Sequence, residues 1–234
     1  MLCNALLVAW HYTHAQGLVI TSGAKLVANG DVKLVLNDAG ITSNGTIIPS
    51  TSTFIFSGSS AGTSFVAGSA TSSFYNLTMN KTANGLQLNT NIEVSNTLSL
   101  AGGDSLFLNN YNIAFGSTGT LSGETETRRI TGYNGGYIEA IATLNAPTLS
   151  NPGNLGFVIS SLQNLGATTV RRGHAIQAGG SVRRYYDITP TNNTNLNATV
   201  VFNYLENELN ENSEAFLDFF SSIDEGLNWT NEGV

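Results

Sequence analysis

The chain is poor in cysteine and histidine, and both absences restrict its chemistry. Its only cysteine, Cys3, lies at the start, so no disulfide can form within the chain and no cysteine-based zinc site is available. His11 and His14 fall in the same N-terminal segment, which leaves His174 as the only histidine beyond it. One histidine without cysteine excludes most zinc and catalytic-triad chemistry.

Charge is also scarce, at 11% of residues against about 25% in ordinary globular domains. The net charge is −7, which argues against a nucleic-acid partner because phosphate binding needs a concentrated basic surface. Half of the acidic residues, eight of 16, follow Val200. Solvated surface carboxylates are the simpler interpretation of this acidic end, and Ca²⁺ is the one cofactor that it could attract.

What the chain has in abundance is short apolar pairs separated by Gly, Asn, Ser and Thr. Between Phe74 and Phe115 the pairs begin 9, 6, 6, 8 and 7 residues apart. Each pair predicts a short strand with two inward side chains, and the intervening residues favour turns. The pairs are Leu77/Met79, Leu86/Leu88, Ile92/Val94, Leu98/Leu100, Leu106/Leu108 and Ile113/Phe115.

Two architectures fit this pattern, a meander of antiparallel hairpins and a parallel β-solenoid. Hairpins with such short links prefer Asn-Gly or Asp-Gly, and in this stretch only Asn84-Gly85 matches. Three strand-plus-corner units of about seven residues would form a coil of roughly 20 residues, and stacked coils bury a continuous apolar column. We therefore predict a β-solenoid over residues 17–124, with the hairpin meander as the alternative.

The composition changes after Gly123, where charged residues become frequent and the strand-like segments are longer. Antiparallel sandwiches show this rhythm of longer strands and short loops. We predict an all-β protein in which the parallel β-solenoid (β-helix-like) repeats are followed by an antiparallel β-sandwich domain over residues 125–234. The sandwich is expected to be incomplete at its C-terminus, because the last residues end inside what reads as a hairpin.

Residues 1–16 differ from the rest of the chain. The run from Leu2 to Trp10 is apolar but too short to span a bilayer, and small residues precede Gln16. We interpret this segment as the remnant of a secretory signal peptide, although it has no basic residue at its start. A first buried strand is the alternative.

Two groups of residues are candidates for a site. In the Arg183–Asp187 strand, alternation places Arg184 and Tyr186 on one face and Tyr185 on the other. Arg184, Tyr185 and Tyr186 are the candidate ligand-binding residues, since a sugar site needs aromatic rings beside charged donors. The alternative is a sandwich strand with arginines over a tyrosine-lined core.

The second group fits the Asp-box pattern S-x-D-x-G-x-x-W, a turn found in several copies in sialidases and other glycan-active proteins. One copy indicates a structural turn, in which Ser and Asp cap backbone amides and Trp packs beneath. Its residues are Ser222, Asp224, Gly226 and Trp229.

No catalytic or metal site is predicted. His174 follows two arginines, and a packing or surface role is favoured over a role as a base. Glu124 and Glu126 alternate like a carboxylate pair for glycoside hydrolysis, but beside Arg128 and Arg129 a surface charge cluster is the simpler interpretation.

The run from Asn164 to Asn210, including VRRGHAIQAGGSVRRYYDITP, resembles a module of large secreted surface proteins of Bacteroidota. The upstream segments YNLTMNKT and NYNIAFG are similar to the strand repeats that precede that module. The resemblance implies export, often by the type IX route, and display at or beyond the outer membrane. Such proteins usually carry a C-terminal sorting domain, which these residues do not contain. The resemblance implies almost nothing about activity.

These observations predict a non-enzymatic, exported cell-surface structural or adhesion protein, of which this chain is a stalk or spacer region. The alternative is a carbohydrate-binding module of a secreted polysaccharide-utilising protein. Expected partners are extracellular polysaccharide or other surface proteins, with no nucleic acid and no transmembrane segment. A solenoid polysaccharide lyase or hydrolase is a third hypothesis, for which Glu93 and Asp104 are the main acidic candidates on the coils.

Overall fold

The computed structural model describes residues 17–59 and 62–233, which form an all-β structure. The predicted signal-peptide segment, residues 1–16, lies outside the described residues. Within the described ranges the helical segments are short 3₁₀ turns only. They are Pro152–Asn154, Ala178–Gly180, Glu206–Glu208 and Glu214–Phe216.

The described residues contain many short strands, numbered here in chain order. They are β1 (Leu18–Ile20), β2 (Lys25–Val27), β3 (Lys33–Asn37), β4 (Ile41–Ser43), β5 (Thr46–Ile48), β6 (Thr53–Gly58), β7 (Ser64–Ala67), β8 (Ser72–Lys81), β9 (Leu86–Asn89), β10 (Ile92–Leu100), β11 (Leu106–Phe107), β12 (Ile113–Ala114), β13 (Thr120–Ser122), β14 (Ile130–Thr131), β15 (Tyr137–Asn145), β16 (Phe157–Ser160), β17 (Asn164–Gly173), β18 (Tyr185–Pro190), β19 (Thr199–Phe202), β20 (Phe219–Ser221) and β21 (Thr230–Gly233).

The N-terminal part is a parallel β-solenoid, as predicted, and not a hairpin meander. One face is a six-stranded parallel sheet in the order β1-β4-β7-β9-β11-β14. Successive partners along this sheet lie 23, 25, 22, 20 and 24 residues apart, close to the predicted coil of roughly 20. A second face stacks β3, β6, β8, β10 and β12 in parallel, and β2 pairs with β5 between the two faces.

The apolar pairs of the sequence form the interior of the solenoid. All twelve residues of the predicted pairs are at most 2% exposed. Equivalent residues stack from coil to coil, for example Leu77 beside Leu98 and Leu98 beside Leu121. This continuous column of buried side chains explains why a two-residue pattern suffices to specify each strand.

The corners are held by asparagine. Asn84 and Gly85 both have positive φ, 59° and 48°, as in a type I′ turn, yet they join β8 to β9 at a corner because the two strands belong to different sheets. Asn91 Oδ1 accepts from the Asn112 backbone N–H at 2.9 Å. Asn112 Oδ1 in turn accepts from the Tyr137 N–H at 3.1 Å, so stacked asparagines satisfy corner amides one coil after another.

The solenoid sheet continues directly into the C-terminal part. β15 pairs in parallel with β12 on one side and antiparallel with β17 on the other, and β17 pairs antiparallel with β18. The result is a nine-stranded sheet that includes β13 and runs unbroken from β3 to β18. We call it the long sheet. The predicted domain boundary between residues 124 and 125 stays a prediction, and the hydrogen-bonded sheet crosses it.

Small antiparallel sheets cover the C-terminal end of the long sheet. β16 pairs with β19, and β20 pairs with β21. The rings of Phe157 and Phe202 pack against Tyr186 of the long sheet, with centroids 6.0 and 5.0 Å away. Two antiparallel layers therefore meet face to face across an aromatic contact, although β16 and β19 of the smaller layer are only four residues long and not the longer strands of the predicted sandwich.

Candidate functional site

The strand that carries the predicted ligand-binding residues alternates as expected, but two of the three candidate side chains face the interior. Arg184 is buried just before β18, and Tyr186 is partly buried between the two antiparallel layers. The Tyr186 hydroxyl lies 3.0 Å from the Leu155 carbonyl oxygen and 3.1 Å from that of Asn203. Of the three candidate residues, only Tyr185 lies on the outer face of the sheet.

Arg184 belongs to a buried ionic cluster between the long sheet and the C-terminal loops. We define this junction cluster as Glu124, Arg172, His174, Arg184 and Glu208. Arg172, only 1% exposed, binds Glu124 through two parallel contacts of 2.9 Å. Arg184 Nη2 lies 3.3 Å from Glu124, and its Nε lies 2.7 Å from Glu208. These paired contacts supply the compensation that buried charges require.

His174 completes the cluster. Its Nδ1 lies 2.9 Å from Oε1 of Glu208, and both side chains are almost fully buried. Burial lowers the pKa of His174 to about 4, although the hydrogen bond that its Nδ1–H donates to Glu208 opposes the decrease. The charges of Arg172 and Arg184 lower the pKa further. Burial would raise the pKa of Glu208, but its hydrogen bond with His174 and the charge of Arg184 lower it to about 2. The imidazole is therefore neutral and the carboxylate ionised at neutral pH.

The carboxylate of Glu124 is also ionised and held by hydrogen bonds. Burial opposes its ionisation, yet Arg172 and Arg184 lower its pKa, and Oε1 accepts from the Ile130 backbone N–H at 3.2 Å. Glu124 is thus part of the interior and not of the predicted surface charge cluster. A cleft of about 260 Å³ lies beside it and is lined by Arg172, Arg184 and Asn154, among others.

Glu126 does not pair with Glu124. Its carboxylate accepts hydrogen bonds from the backbone N–H groups of Glu206 and Asn207 at 2.9 and 3.1 Å. It therefore anchors the loop after β19, while Glu124 binds Arg172, so each glutamate of the predicted pair has its own structural partner. The junction cluster brings together residues up to 84 positions apart, and no local pattern marks Glu208 as the partner of His174.

The outer face of the antiparallel sheet carries aromatic and charged side chains. Tyr137 and Tyr185 are aligned across the strands on either side of Gly173, and the Tyr185 ring covers the space that a Gly173 side chain would fill. The Arg171 guanidinium lies 4.8 Å from the centre of the Tyr137 ring and forms ion pairs with Glu139 and Asp187 at 2.7 and 3.4 Å. On this face one guanidinium is therefore paired with two carboxylates.

The residues singled out as a turn lie between β20 and β21. Ser222 Oγ accepts from the Gly226 N–H at 2.9 Å, and Asp224 Oδ1 accepts from the Asn228 N–H at 2.9 Å. Gly226 has a φ of 83°, and the Trp229 indole N–H donates to its carbonyl oxygen at 3.0 Å. The Asn228 side-chain amide donates to Asp224 Oδ2 at 2.6 Å and lowers the pKa of Asp224 most, followed by the Asn228 N–H and the Ser222 hydroxyl. Side chains thus close this hairpin loop.

Within residues 17–59 and 62–233, no three His, Cys, Asp or Glu side chains are grouped as a metal site would require. The predicted attraction of Ca²⁺ to the acidic C-terminal part stays a prediction. The same ranges contain no helix with the length and apolar character needed to cross a membrane.

Comparison with protein-family models, with curated proteins and with solved structures finds no match to this chain. The resemblance to secreted Bacteroidota surface proteins therefore stays a prediction from the sequence.

Proposed function

We propose that this chain is a non-enzymatic, rigid stalk or spacer of an exported cell-surface structural or adhesion protein. The observation that carries the proposal is the continuity of the long sheet from β3 to β18. Coils that contact only their neighbours form an extended body, and hydrogen bonds from β12 through β15 to β17 join that body to the antiparallel layers.

The junction cluster supports the same function. Arg172 on β17 binds Glu124, which precedes β14, so an ion pair ties the antiparallel sheet to the last coil. Glu208 and Arg184 extend this connection to the loop after β19. A spacer needs such a junction because a flexible connection would not hold its two ends at a fixed separation.

The acid–base candidates of the sequence support a structural role. His174 and Glu124 are engaged with oppositely charged or hydrogen-bonding partners in the interior, where they stabilise the fold. The loop of Ser222, Asp224, Gly226 and Trp229 is proposed to be an Asp box with a structural role, because its polar groups bind the loop itself.

Export, display on the cell surface and cleavage of residues 1–16 are part of the proposal and rest on the sequence. Expression of the whole chain in a Bacteroidota host tests them. We expect the protein outside the cytoplasm, with Gln16 or a neighbouring residue at its new N-terminus. An uncleaved protein in the cytoplasm would contradict export.

Carbohydrate binding through Arg184, Tyr185 and Tyr186 is not favoured, because Arg184 and Tyr186 are engaged in the interior. A sugar site that used them would have to break the junction cluster or the aromatic contact between the layers.

Small-angle X-ray scattering of the whole chain tests the rigid spacer. The expected curve is that of one conformer in which coils and antiparallel layers keep a fixed arrangement. A curve that requires many relative orientations would contradict the spacer.

Incubation with a panel of polysaccharides tests the proposal that the chain is not an enzyme. Release of reducing or unsaturated sugars would overturn that assignment.

A further inference from the structure

The six arginines divide into two sets by their partners. Arg171, Arg172 and Arg184 form ion pairs with carboxylates. The other three, Arg128, Arg129 and Arg183, have no carboxylate within 4.0 Å in the described part of the chain. Unpaired cations are unexpected in a protein of net charge −7, where carboxylates outnumber basic groups.

One of these arginines, Arg129, lines a groove on the solenoid, and another, Arg183, lies over the ring of the lining residue Tyr133. The groove has a volume of about 280 Å³ and lies on the outer side of the six-stranded sheet, where β9, β11 and β14 are adjacent. None of its lining residues carries a carboxylate. The side chains that matter here are Gln87, Phe107, Asn109, Arg129, Tyr133 and Asn134.

The groove presents two aromatic rings to solvent. Phe107 is 37% exposed and Tyr133 is 49% exposed, so both rings are accessible to a ligand. The Arg183 guanidinium lies 4.3 Å from the centre of the Tyr133 ring, a cation–π contact that helps to hold the ring in place. Phe107 pairs across the sheet with Gln87, so a ring and an amide are aligned on neighbouring coils.

The amides of the groove are oriented by the stack of coils. Gln87 Nε2 donates to Asn89 Oδ1 at 2.8 Å, and Asn109 Nδ2 donates to the same oxygen at 3.0 Å. Their nitrogens are thereby occupied, while no described residue donates a hydrogen bond to Gln87 Oε1 or Asn109 Oδ1. These two oxygens are fixed acceptors for ligand hydroxyl groups.

Arg129 supplies the charge. Its Nη1 donates to the Glu126 carbonyl oxygen, which fixes the guanidinium beside the groove. Its Nε is buried and has no hydrogen-bond partner in the described residues. A partly buried guanidinium without a counter-ion favours an anionic ligand, because a carboxylate matches its fork of donors.

We propose that this groove binds an acidic saccharide, a sugar polymer that contains uronic acid units. The C–H face of a pyranose ring packs on Phe107 or Tyr133, because the aromatic face is electron-rich. Sugar hydroxyls donate to the Gln87 and Asn109 oxygens, and the uronate carboxylate binds Arg129. An inorganic anion would use Arg129 but leave both rings uncovered. The inference does not depend on the spacer function, since a groove on a coil is compatible with any role of the solenoid.

Isothermal titration of the whole chain tests the proposal, with oligosaccharides of polygalacturonate, alginate and hyaluronan as acidic probes. Cellotetraose and mannotetraose serve as neutral probes. We expect at least one acidic probe to bind in preference to both neutral probes, with an affinity that falls as sodium chloride is raised. Binding to none of the acidic probes, or equal affinity for neutral ones, would overturn the proposal.

Matched variants locate the site. Tyr133→Ala and Arg129→Gln are each expected to weaken binding about tenfold, the loss of one aromatic or charge-assisted contact. Tyr137→Ala is the control for the first, because Tyr137 also carries an arginine over its ring but lies on another face. Arg128→Gln is the control for the second. Loss of binding in Tyr137→Ala with none in Tyr133→Ala would place the site on the antiparallel sheet and overturn the groove.

A failure of Arg129→Gln to fold would leave the test intact. Circular dichroism identifies such a failure, and Phe107→Ala then replaces that variant as a second probe of the groove. It is expected to weaken binding by a similar factor, about tenfold. The salt dependence of the unaltered chain reports the charged contact without any substitution. Unchanged affinity in both Tyr133→Ala and Phe107→Ala would exclude the groove.

Discussion

The solenoid and the antiparallel part bury different chemistry, although they share one sheet. The solenoid interior is a column of Leu, Ile, Val, Phe and Met side chains, with an ion pair between Lys81 and Asp38 at 2.7 Å. The antiparallel part encloses the junction cluster, where two arginines, two glutamates and a histidine are buried together. The first interior is built by repetition and the second by long-range pairing.

This difference separates two sources of stability. A hydrophobic column is stabilised by the apolar surface area that it buries. Its residues can therefore be exchanged for other apolar residues of similar volume. A buried ionic cluster depends on every partner, because removal of one leaves an uncompensated charge. We therefore expect the junction to be the most sensitive part of the molecule.

The largest effect is expected for Arg172→Ala. This change leaves Glu124 partly buried and without its bidentate partner, which should cost about 3–5 kcal/mol of unfolding free energy. Arg171→Ala is the matched control, since the neighbouring arginine is 40% exposed and its ion pairs should be worth about 1 kcal/mol or less. Urea denaturation measures both. Similar losses for the two variants would contradict a special role of the junction.

Acidification should destabilise the junction in two steps. The pKa of His174 in the folded chain, about 4, is below its ordinary value of 6.5, so the unfolded chain takes up the proton first. Stability is then complete above about pH 6.5 and falls by about 3 kcal/mol as the pH approaches 4. The lowered pKa of Glu208, about 2 against 4.5, adds a further loss between pH 4.5 and 2.

Thermal unfolding across this pH range measures the effect, and His174→Gln is the control. Glutamine can still donate a hydrogen bond to Glu208 but cannot take up a proton beside Arg172 and Arg184. The variant should therefore lose the dependence between pH 6.5 and 4 and keep the one below 4.5. An unchanged profile in His174→Gln would assign the acid sensitivity to other groups.

A smaller effect is expected in the solenoid for Gly102→Ala. A Cβ at Gly102 would lie 2.0 Å from the Lys81 carbonyl oxygen of the preceding coil, so the coils must separate locally. The expected cost is about 1–3 kcal/mol, as for other overpacked sites. Gly103→Ala is the neighbouring control, because its nearest atom would be 4.0 Å away. Equal unfolding free energies for the two variants, from urea denaturation, would contradict the observed coil spacing.

The smallest effect is expected when the ion pair of the solenoid is replaced. Lys81→Met combined with Asp38→Asn removes both charges and keeps an unbranched side chain in the column. The unfolding free energy should change by about 1 kcal/mol or less, because replacement of a whole buried pair by matched neutral groups is often neutral. A loss as large as that of Arg172→Ala would show that the solenoid also depends on ionic contacts.

The sequence predicted the solenoid well because its information is local. Each apolar pair specifies one strand, and Leu77, Leu98 and Leu121 stack because their spacing repeats. Asn84-Gly85 had the signature of a hairpin, yet the buried column outweighed the turn preference, and the dipeptide became a corner.

The junction cluster could not be predicted in the same way. Glu124, His174 and Glu208 come from segments far apart in the chain, and each has neighbours that suggest an exposed charge. Strand alternation correctly separated Tyr185 from Arg184 and Tyr186. It could not decide which face would be covered, because the covering residues lie in and beside β16 and β19, far from β18 in the case of β16.

Hydrogen exchange of the whole chain in increasing denaturant tests whether the coils and the antiparallel layers form one body through the long sheet. We expect the amides of β10, β12, β15 and β17 to become exchangeable together, with one free energy of opening. Earlier exchange of β15, β17 and β18 as a separate unit, while β8 and β10 stay protected, would contradict a rigid spacer and place a boundary near residue 125.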